Sequence, residues 1–338
     1  MKTVHPLPDE ASVIPVRAPL ITVDKLTVDM PLGRSGSSVR IVDNIDFTIG
    51  VGERVALVGE SGSGKSLTAR ALMRLDRLAK LSGSVDFDGT DLLKLSDREM
   101  NKHRGNSIAM VFQDPMSFLD PLMTIGDQVA ETLRIRGVGK AEARKRALAV
   151  LDELGVDRAV ERLDSYPHEF SGGMRQRVVL AMALIGEPRL LIADEPTTAL
   201  DVRVQDQVLD LLDDVSTRRG LAVLFITHDL GVVAGFAERV MVMYSGRIVE
   251  DGEVGSVFAK PSHPYTQGLI KAVPRIDQDL HQLYAIPGAP PPPLARPSGC
   301  PFHPRCDKRF DRCDKQLPAL LPIGMTRVAC HLHDGKGV

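Results

Sequence analysis

The segment GESGSGKS at residues 59–66 constrains this chain more than any other feature, because it matches the phosphate-loop pattern G-x-x-x-x-G-K-[ST]. The apolar run RVALV at 54–58 predicts a buried strand before the loop, and the Leu-, Ala- and Arg-rich segment 67–78 predicts a helix after it. A strand, a glycine-rich loop and a helix in this order form the structural setting of the motif. The sequence therefore predicts a binding site for a nucleoside triphosphate.

The residue types of the loop suit a polyphosphate. Glycines let the backbone wrap the phosphates, while successive N–H groups and the N-terminus of the next helix face the negative charge. We expect Lys65 to reach the β and γ phosphates and the hydroxyl of Ser66 to bind Mg²⁺. The predicted nucleotide-binding residues of this segment are Gly59, Ser61, Gly62, Ser63, Gly64, Lys65, Ser66 and Leu67.

A pair of carboxylates ends a second apolar strand, LLIADE at 190–195. The carboxyl end of a buried parallel strand is where Mg²⁺ and nucleotides collect in α/β proteins. Asp194 is therefore a predicted Mg²⁺ ligand. The chain also contains IAMVFQ at 108–113, FSGGMRQR at 170–177, TALD at 198–201 and AVLFIT at 222–227, followed by His228.

Taken in order with the phosphate loop, these motifs resemble the ATPase subunit of an ABC transporter over about residues 20–260. The resemblance implies ATP as the nucleotide and Glu195 as the general base that aligns a water for attack on the γ phosphate. It implies His228 as a switch residue that contacts the γ phosphate. It also implies that Gln113 touches Mg²⁺ and the attacking water, which gives a predicted Mg²⁺ set of Ser66, Gln113 and Asp194.

The run FSGGMRQR places small residues and a capping serine at a helix start, which is a second anion site. In ABC proteins this signature closes over the nucleotide of a partner subunit, so that two ATP molecules lie in a head-to-tail dimer. The resemblance therefore assigns Ser171, Gly172 and Gly173 to the partner's ATP, and it adds Asp201 to the nucleotide-binding residues. Met174 departs from the usual Gln of this motif.

The predicted fold class is α/β: an ABC-type phosphate-loop ATPase with a mixed sheet core, an antiparallel β edge, an inserted helical subdomain and a small irregular C-terminal extension. We expect an N-terminal arm at 1–19, an ATPase domain at 20–260 with its helical subdomain at about 114–187, and the extension at 261–338. The apolar spacing of Ala147, Val150, Leu151 and Leu154 predicts a helix that Gly155 stops.

Composition limits the classes of partner that this chain is expected to bind directly. The chain has 42 Lys and Arg against 44 Asp and Glu, a formal charge of −2, and no Trp. This balance gives no reason to expect attraction to nucleic acid. No apolar run approaches the roughly 18 residues of a membrane helix, and the first 19 residues lack the apolar core of a secretory signal. We therefore expect contact with a membrane only through a partner.

The C-terminal part of the chain indicates a particular group within this family. KPSHPYTQGL at 260–269, the proline-rich tail after it and the GMRQR form of the signature resemble the D-type ATPase subunit of dipeptide and oligopeptide importers. That resemblance implies a homologous F-type ATPase as dimer partner, two transmembrane permease subunits and an extracytoplasmic substrate-binding protein. It implies a peripheral position on the cytoplasmic face of the inner membrane.

Four cysteines lie within the tail and nowhere else: Cys300, Cys306, Cys313 and Cys330, separated by five, six and sixteen residues. Thiols gathered in this way indicate a metal site. Zinc ligands are usually two to four residues apart, so the wider gaps favour a 4Fe-4S cluster over zinc. The alternatives are zinc and no metal at all. The cations Arg305, Lys308, Arg309 and Arg312 are expected to offset thiolate charge.

Two other function classes stay open at this point. Some ABC ATPases act in DNA repair or translation without a membrane partner, and fold alone does not decide function. Those proteins usually carry two cassettes or long arms, whereas this chain has one phosphate loop and one signature. A regulatory module without turnover is disfavoured, because Lys65, Asp194, Glu195 and His228 are all present.

Overall fold

The computed structural model describes residues 17–33, 36–113, 117–197, 201–273 and 284–334. Four predicted segments fall partly outside these ranges: residues 1–16 of the N-terminal arm, residues 114–116 of the helical subdomain, residues 198–200 of the TALD motif, and residues 274–283 and 335–338 of the C-terminal extension. Within the described part, Arg17 forms an ion pair with Glu238 over 2.7 Å, so the chain is packed on the domain from its first described residue.

Twelve strands are present in the described ranges: β1 Pro19–Pro31, β2 Ser38–Gly50, β3 Arg54–Val58, β4 Lys80–Phe87, β5 Thr90–Asp91, β6 Ile108–Val111, β7 Leu190–Asp194, β8 Ala222–Thr227, β9 Arg239–Tyr244, β10 Arg247–Glu253, β11 Leu321–Ile323 and β12 Thr326–Val328. The α-helices of the same ranges are α1 Lys65–Leu72, α2 Asp97–His103, α3 Ile125–Ile135, α4 Lys140–Glu153, α5 Ala159–Arg162, α6 Gly172–Leu184, α7 Val202–Arg219, α8 Leu230–Phe236, α9 Val254–Ala259 and α10 Pro264–Lys271.

The predicted antiparallel edge forms the smaller sheet, with strand order β2-β1-β4-β5. β1 and β2 pair antiparallel, for example Val28 with Val42. Apolar side chains of β1 and β2 are buried against α1 and against one face of the larger sheet. In β2 the buried residues Ile45, Phe47 and Ile49 alternate with more exposed ones, so a slip of one residue in this strand would expose its apolar set.

The larger sheet has the order β11-β12-β10-β9-β3-β8-β7-β6. Its strands from β9 through β3, β8 and β7 to β6 are parallel. β7 and β8 are buried along their whole length, as expected for central strands that are covered on both faces. Parallel pairing brings the carboxyl ends of these strands to one edge, where the loops that follow them meet.

The helical region lies between β6 and β7 and packs around a core shared by α3, α4 and α6. The predicted face of α4 is buried, with Val150 the most exposed member at 9%. Leu154 follows the helix, and Gly155 adopts a left-handed φ of +66°, which ends a helix at low cost for glycine. The predicted α4 and its stop are confirmed.

Helix α1 is shorter than the sequence predicts, because it ends at Leu72 rather than at residue 78. Arg74 adopts a left-handed φ of +50°, so the chain leaves the helical path there. The guanidinium of Arg104 donates to the carbonyls of Met73 and Arg74. A side chain 30 residues away thus satisfies the free carbonyls of this helix end, which local propensity does not reveal.

The described residues of the C-terminal extension form more regular structure than the predicted irregular tail. Strand β12 pairs antiparallel with β10, with Glu250 opposite Val328, and thereby lengthens the larger sheet. Nearby, the rings of Tyr244, Tyr265 and Phe302 pack together with centroids 4.6 to 5.4 Å apart. Contacts of this kind add to burial of the rings, so the extension is anchored on β9 and α10.

Candidate nucleotide site

The phosphate loop follows β3 and lies at the edge where the parallel strands end. Gly59 has a φ of +154°, and a Cβ there would lie 2.2 Å from the carbonyl oxygen of Met243. Gly62 has a φ of +79° and faces open space. Both positions require glycine for backbone conformation, and Gly59 also requires it for contact. The loop backbone therefore depends on glycine at both positions.

The ammonium group of Lys65 lies inside this loop. Its Nζ donates to the carbonyl oxygens of Gly59 at 2.7 Å and of Glu60 at 3.0 Å. Burial lowers the pKa of Lys65, and the nearby carboxylates of Glu195 and Asp194 act against that shift. Within the described ranges both hydrogen-bond partners of this buried ammonium are carbonyl oxygens, so it is well placed to gain from a bound anion.

Ser66 and Asp194 lie side by side although they are 128 residues apart in sequence. The hydroxyl of Ser66 donates to Oδ1 of Asp194 over 2.9 Å. Asp194 is buried, and that burial raises its pKa, while the Ser66 hydrogen bond acts to lower it. A buried carboxylate beside a hydroxyl oxygen is a donor set that Mg²⁺ prefers.

Glu195 connects two further predicted residues. Its Oε2 accepts from Nε2 of Gln113 at 2.9 Å, and its Oε1 lies 3.3 Å from Nδ1 of His228. Glu195 has a left-handed φ of +49°, which is strained for a residue with a Cβ. The structure therefore groups Gln113, Asp194, Glu195 and His228 beside the phosphate loop.

The signature residues lie at a separate cavity of about 410 Å³, lined by none of the residues 59–67. Ser171 caps α6 by accepting from the N–H of Met174, and Asp201 caps α7 by accepting from the N–H of Val204 at 2.9 Å. Ser171, Gly172, Gly173 and Asp201 all line the cavity. Two helix N-termini thus converge on it, away from this chain's own phosphate loop.

All four cysteines line one small cavity of about 20 Å³, and all four are free thiols. Burial raises the pKa of Cys300 to about 12 and that of Cys330 to about 11, so these thiols are protonated at neutral pH without a bound cation. Among the described residues, no group of three or more His, Cys, Asp or Glu side chains has the arrangement of a site for a metal ion.

Sequence reasoning missed one part of the site. It assigned Arg305 to the thiolates, but the guanidinium forms a two-pronged ion pair with the carboxylate of Glu60 in the phosphate loop, at 2.6 and 2.9 Å. Residues 260–269 entered the prediction only through the family resemblance, but the hydroxyl of Tyr265 in this segment accepts from the N–H of Glu60 at 2.8 Å. Neither contact has a signal in spacing or composition.

Comparison with known proteins decides the family. Residues 42–198 match the family model described as ABC transporter, and residues 249–313 match that described as oligopeptide/dipeptide transporter, C-terminal region. A putative peptide import ATP-binding protein of Brucella abortus is 47% identical over 93% of this chain and 95% of the relative. The chain belongs to the ABC transporter ATP-binding family.

Two other relatives have a similar sequence identity to this chain. The oligopeptide transport ATP-binding protein OppD of Salmonella typhimurium is 49% identical over 83% of this chain and 84% of that protein. The dipeptide transport ATP-binding protein DppD of Bacillus subtilis is 48% identical over 89% and 91%. The dimeric ATP-binding cassette MJ0796, solved in a post-hydrolysis state with ADP and Pi, matches with a TM-score of 0.61 and 31% identity over 69% of this chain and 98% of that one.

The ABC cassette fold predicted from the motifs is thus confirmed, as is ATP as the nucleotide of this ATPase family. In the ranges that the structure describes, no helix combines the length and apolar character needed to cross a membrane.

Proposed function

We propose that this chain is the ATP-hydrolysing subunit of an ABC importer for dipeptides or oligopeptides. The relatives named as peptide import, oligopeptide transport and dipeptide transport proteins cover most of the chain. The match to the peptide-transporter C-terminal region supports the same substrate class. These relatives favour the importer over the alternative of an ABC ATPase in DNA repair or translation.

The observation that carries the catalytic proposal is the grouping of Gln113, Glu195 and His228 beside the Ser66–Asp194 pair. Lys65 and the loop N–H groups bind the β and γ phosphates, and Ser66, Gln113 and Asp194 would hold Mg²⁺. When bound there, Mg²⁺ would neutralise part of the phosphate charge. Glu195 accepts a proton from the attacking water as general base, and His228 contacts the γ phosphate.

The signature cavity supports a dimer in which each chain completes the other's site. Its two helix N-termini offer N–H donors and positive dipole ends to an anion, and they lie apart from this chain's own phosphate loop. Ser171, Gly172, Gly173 and Asp201 thus serve ATP held by the partner. The dimeric cassette MJ0796 supports this arrangement.

The importer has further subunits in this proposal. The dimer partner is a homologous but unlike F-type ATPase, and two transmembrane permeases dock near Gln113. An extracytoplasmic binding protein selects the peptide. The chain itself lies at the cytoplasmic face of the inner membrane as a peripheral subunit. The relatives named for peptide import and peptide transport support the transport role, while the unlike pair rests on the D-type form of the signature.

A 4Fe-4S cluster held by Cys300, Cys306, Cys313 and Cys330 is also part of the proposal. The donor set fits, because four thiols line one cavity and backbone N–H groups donate to Cys300, Cys306 and Cys330. His263, which lines the same cavity, leaves its buried Nε2 without a hydrogen-bond partner in the described part of the chain.

A single zinc ion fits this cavity less well. Four thiolates on one zinc at about 2.3 Å must converge on a point, and no group of described side chains does so. In a 4Fe-4S cluster each thiolate binds a different iron, so the four sulfur atoms need not converge on one point. When bound, the cluster would supply a fixed cross-link between the four cysteines, which together span residues 300–330 of the extension.

Affinity purification of the tagged chain from its own membrane, followed by mass spectrometry and ATPase assay, tests the proposed function. We expect two polytopic membrane proteins, a second ABC ATPase and ATP hydrolysis that a cognate peptide-loaded binding protein stimulates. A stable, active complex made only of copies of this chain, with no membrane protein, would contradict the importer.

A further inference from the structure

Arg305 of the C-terminal extension contacts the phosphate loop, and its side chain is nearly hidden from solvent. The guanidinium of Arg305 binds both carboxylate oxygens of Glu60, and its side chain is only 5% exposed. The rings of Tyr244 and Phe302 have centroids 5.8 and 5.9 Å from this guanidinium. Its Nε also donates to the carbonyl of Pro287 at 2.8 Å. Arg305 is therefore fixed in place by the extension.

Glu60 is the second residue of the phosphate loop, and each of its polar groups has a partner. Its side chain binds Arg305, its N–H donates to the hydroxyl of Tyr265 at 2.8 Å, and its carbonyl accepts from Nζ of Lys65 at 3.0 Å. Two of these three partners come from beyond residue 260. Glu60 is thus contacted both by Lys65, which is expected to bind phosphate, and by residues of the extension.

We propose that Arg305 and Tyr265 are positioning residues for ATP binding, so that the C-terminal extension is a working part of the nucleotide site. This inference rests on the proposed role of residues 59–67. A free carboxylate at Glu60 would lie in the loop that receives a triphosphate, and the paired guanidinium offsets that charge. Tyr265 holds the adjoining peptide group, which fixes the backbone of the loop before ATP arrives.

Arginine is required in this role for a geometric reason. Its planar fork matches both oxygens of a carboxylate, whereas the lysine ammonium is a point charge that cannot bind them in parallel. Arg305 also lies directly before Cys306, so a change in order around the cysteines shifts the guanidinium. Loss of order in the extension would therefore disturb the phosphate loop through the Arg305–Glu60 ion pair.

The test compares variants in the purified importer complex. Arg305→Gln is expected to weaken binding of a fluorescent Mg²⁺–ATP analogue about tenfold, within the usual range for coupling between two sites. ATP hydrolysis should show a raised KM with kcat nearly unchanged. Arg305→Lys should recover part of the affinity. Glu60→Gln combined with Arg305→Gln should bind more tightly than Arg305→Gln alone, because the unpaired carboxylate is gone.

Arg312→Gln is the matched control. Arg312 also directly precedes a cysteine and pairs with a carboxylate, that of Asp334 at 2.7 Å, but it makes no contact with the phosphate loop among its described interactions. It should leave nucleotide affinity at the wild-type level. Tyr265→Phe keeps the ring and removes only the hydroxyl, so it tests the second contact without emptying the aromatic cluster, and a rise in KM of about threefold or more is expected.

The outcomes separate the two claims. A wild-type complex that does not bind ATP would contradict the proposed function itself. A wild-type complex that binds ATP, with Arg305→Gln and Tyr265→Phe binding equally tightly, would overturn the positioning role alone. Equal losses in Arg305→Gln and Arg312→Gln would also overturn it, since the effect would then come from general loosening of the extension. Failure of the double variant to recover affinity would overturn the charge argument.

Discussion

The side-chain amide of Gln113 donates to Oε2 of Glu195 over 2.9 Å, although the two residues are 82 positions apart. Gln113 follows β6, and Glu195 follows the neighbouring strand β7. The contact holds the carboxylate at the edge of the sheet where the phosphate loop lies. It also leaves Glu195 joined to the chain segment after β6, where the proposed permease contact lies.

Replacing Glu195 with Gln should lower ATP hydrolysis by the complex about 10²-fold or more, because a positioned general base typically contributes about 10²–10⁴. ATP binding should persist, since Lys65 and Ser66 are unchanged, and the ATP-bound closed dimer should accumulate. Steady-state hydrolysis and nucleotide binding measured on the same preparation check both parts. Glu161→Gln, an exposed carboxylate on α5, is the control and should hydrolyse ATP normally.

Introducing a large cation at the signature should block the partner's site rather than this chain's own. Ser171→Arg fills the N-terminus of α6 at the signature cavity, so ATP-driven closure of the dimer should weaken strongly. ATP binding at Lys65 should remain, because residues 59–67 do not line that cavity. Photo-crosslinking of labelled ATP to each subunit, with closure followed by size or distance measurement, distinguishes the two sites. Loss of labelling at this chain's own loop would contradict the assignment.

The four cysteines predict a coloured protein. Anaerobically purified complex should be brown and carry about four irons in this chain, and Cys306→Ser should lose iron. Because Arg305 adjoins Cys306, this variant should also bind ATP more weakly than wild type. Iron and zinc analysis with thiol titration on folded protein checks the claim. One zinc without iron would replace the cluster, and four reactive thiols without metal would remove the metal site.

The aromatic cluster is expected to determine the stability of the extension. Phe302 is 4% exposed and contacts both Tyr244 and Tyr265. Phe302→Ala should destabilise the extension locally by about 3–5 kcal/mol, the usual cost of such a truncation. Hydrogen exchange should show lost protection in residues 284–334 with little change in β7. Leu294→Ala, at a side chain that is 71% exposed, should leave protection unchanged.

Much of the nucleotide site was predictable, because the phosphate loop, the Asp194–Glu195 pair and His228 each lie at the end of a strand with a strong apolar signal. Parallel strands then require Asp194 and His228 to meet the phosphate loop. The early end of α1 was not predictable, since it depends on Arg104 capping from another element. The Arg305–Glu60 pair was not predictable either, because its partners are 245 residues apart and no pattern of spacing joins them.

The metal prediction marks another limit of sequence. Spacing of the cysteines indicates that thiols gather, and the structure does place all four around one cavity. Spacing does not carry the identity of the metal, because that identity depends on the distances between the sulfur atoms, and the fold sets those distances.

Peptide-stimulated ATP hydrolysis in proteoliposomes tests the central claim most directly. The complete complex should hydrolyse ATP faster when its binding protein carries a peptide, and it should move that peptide across the bilayer. The same complex with Glu195→Gln should bind ATP but lose both activities. Full peptide transport by the Glu195→Gln complex, or wild-type hydrolysis that no peptide stimulates or couples to transport, would contradict the account.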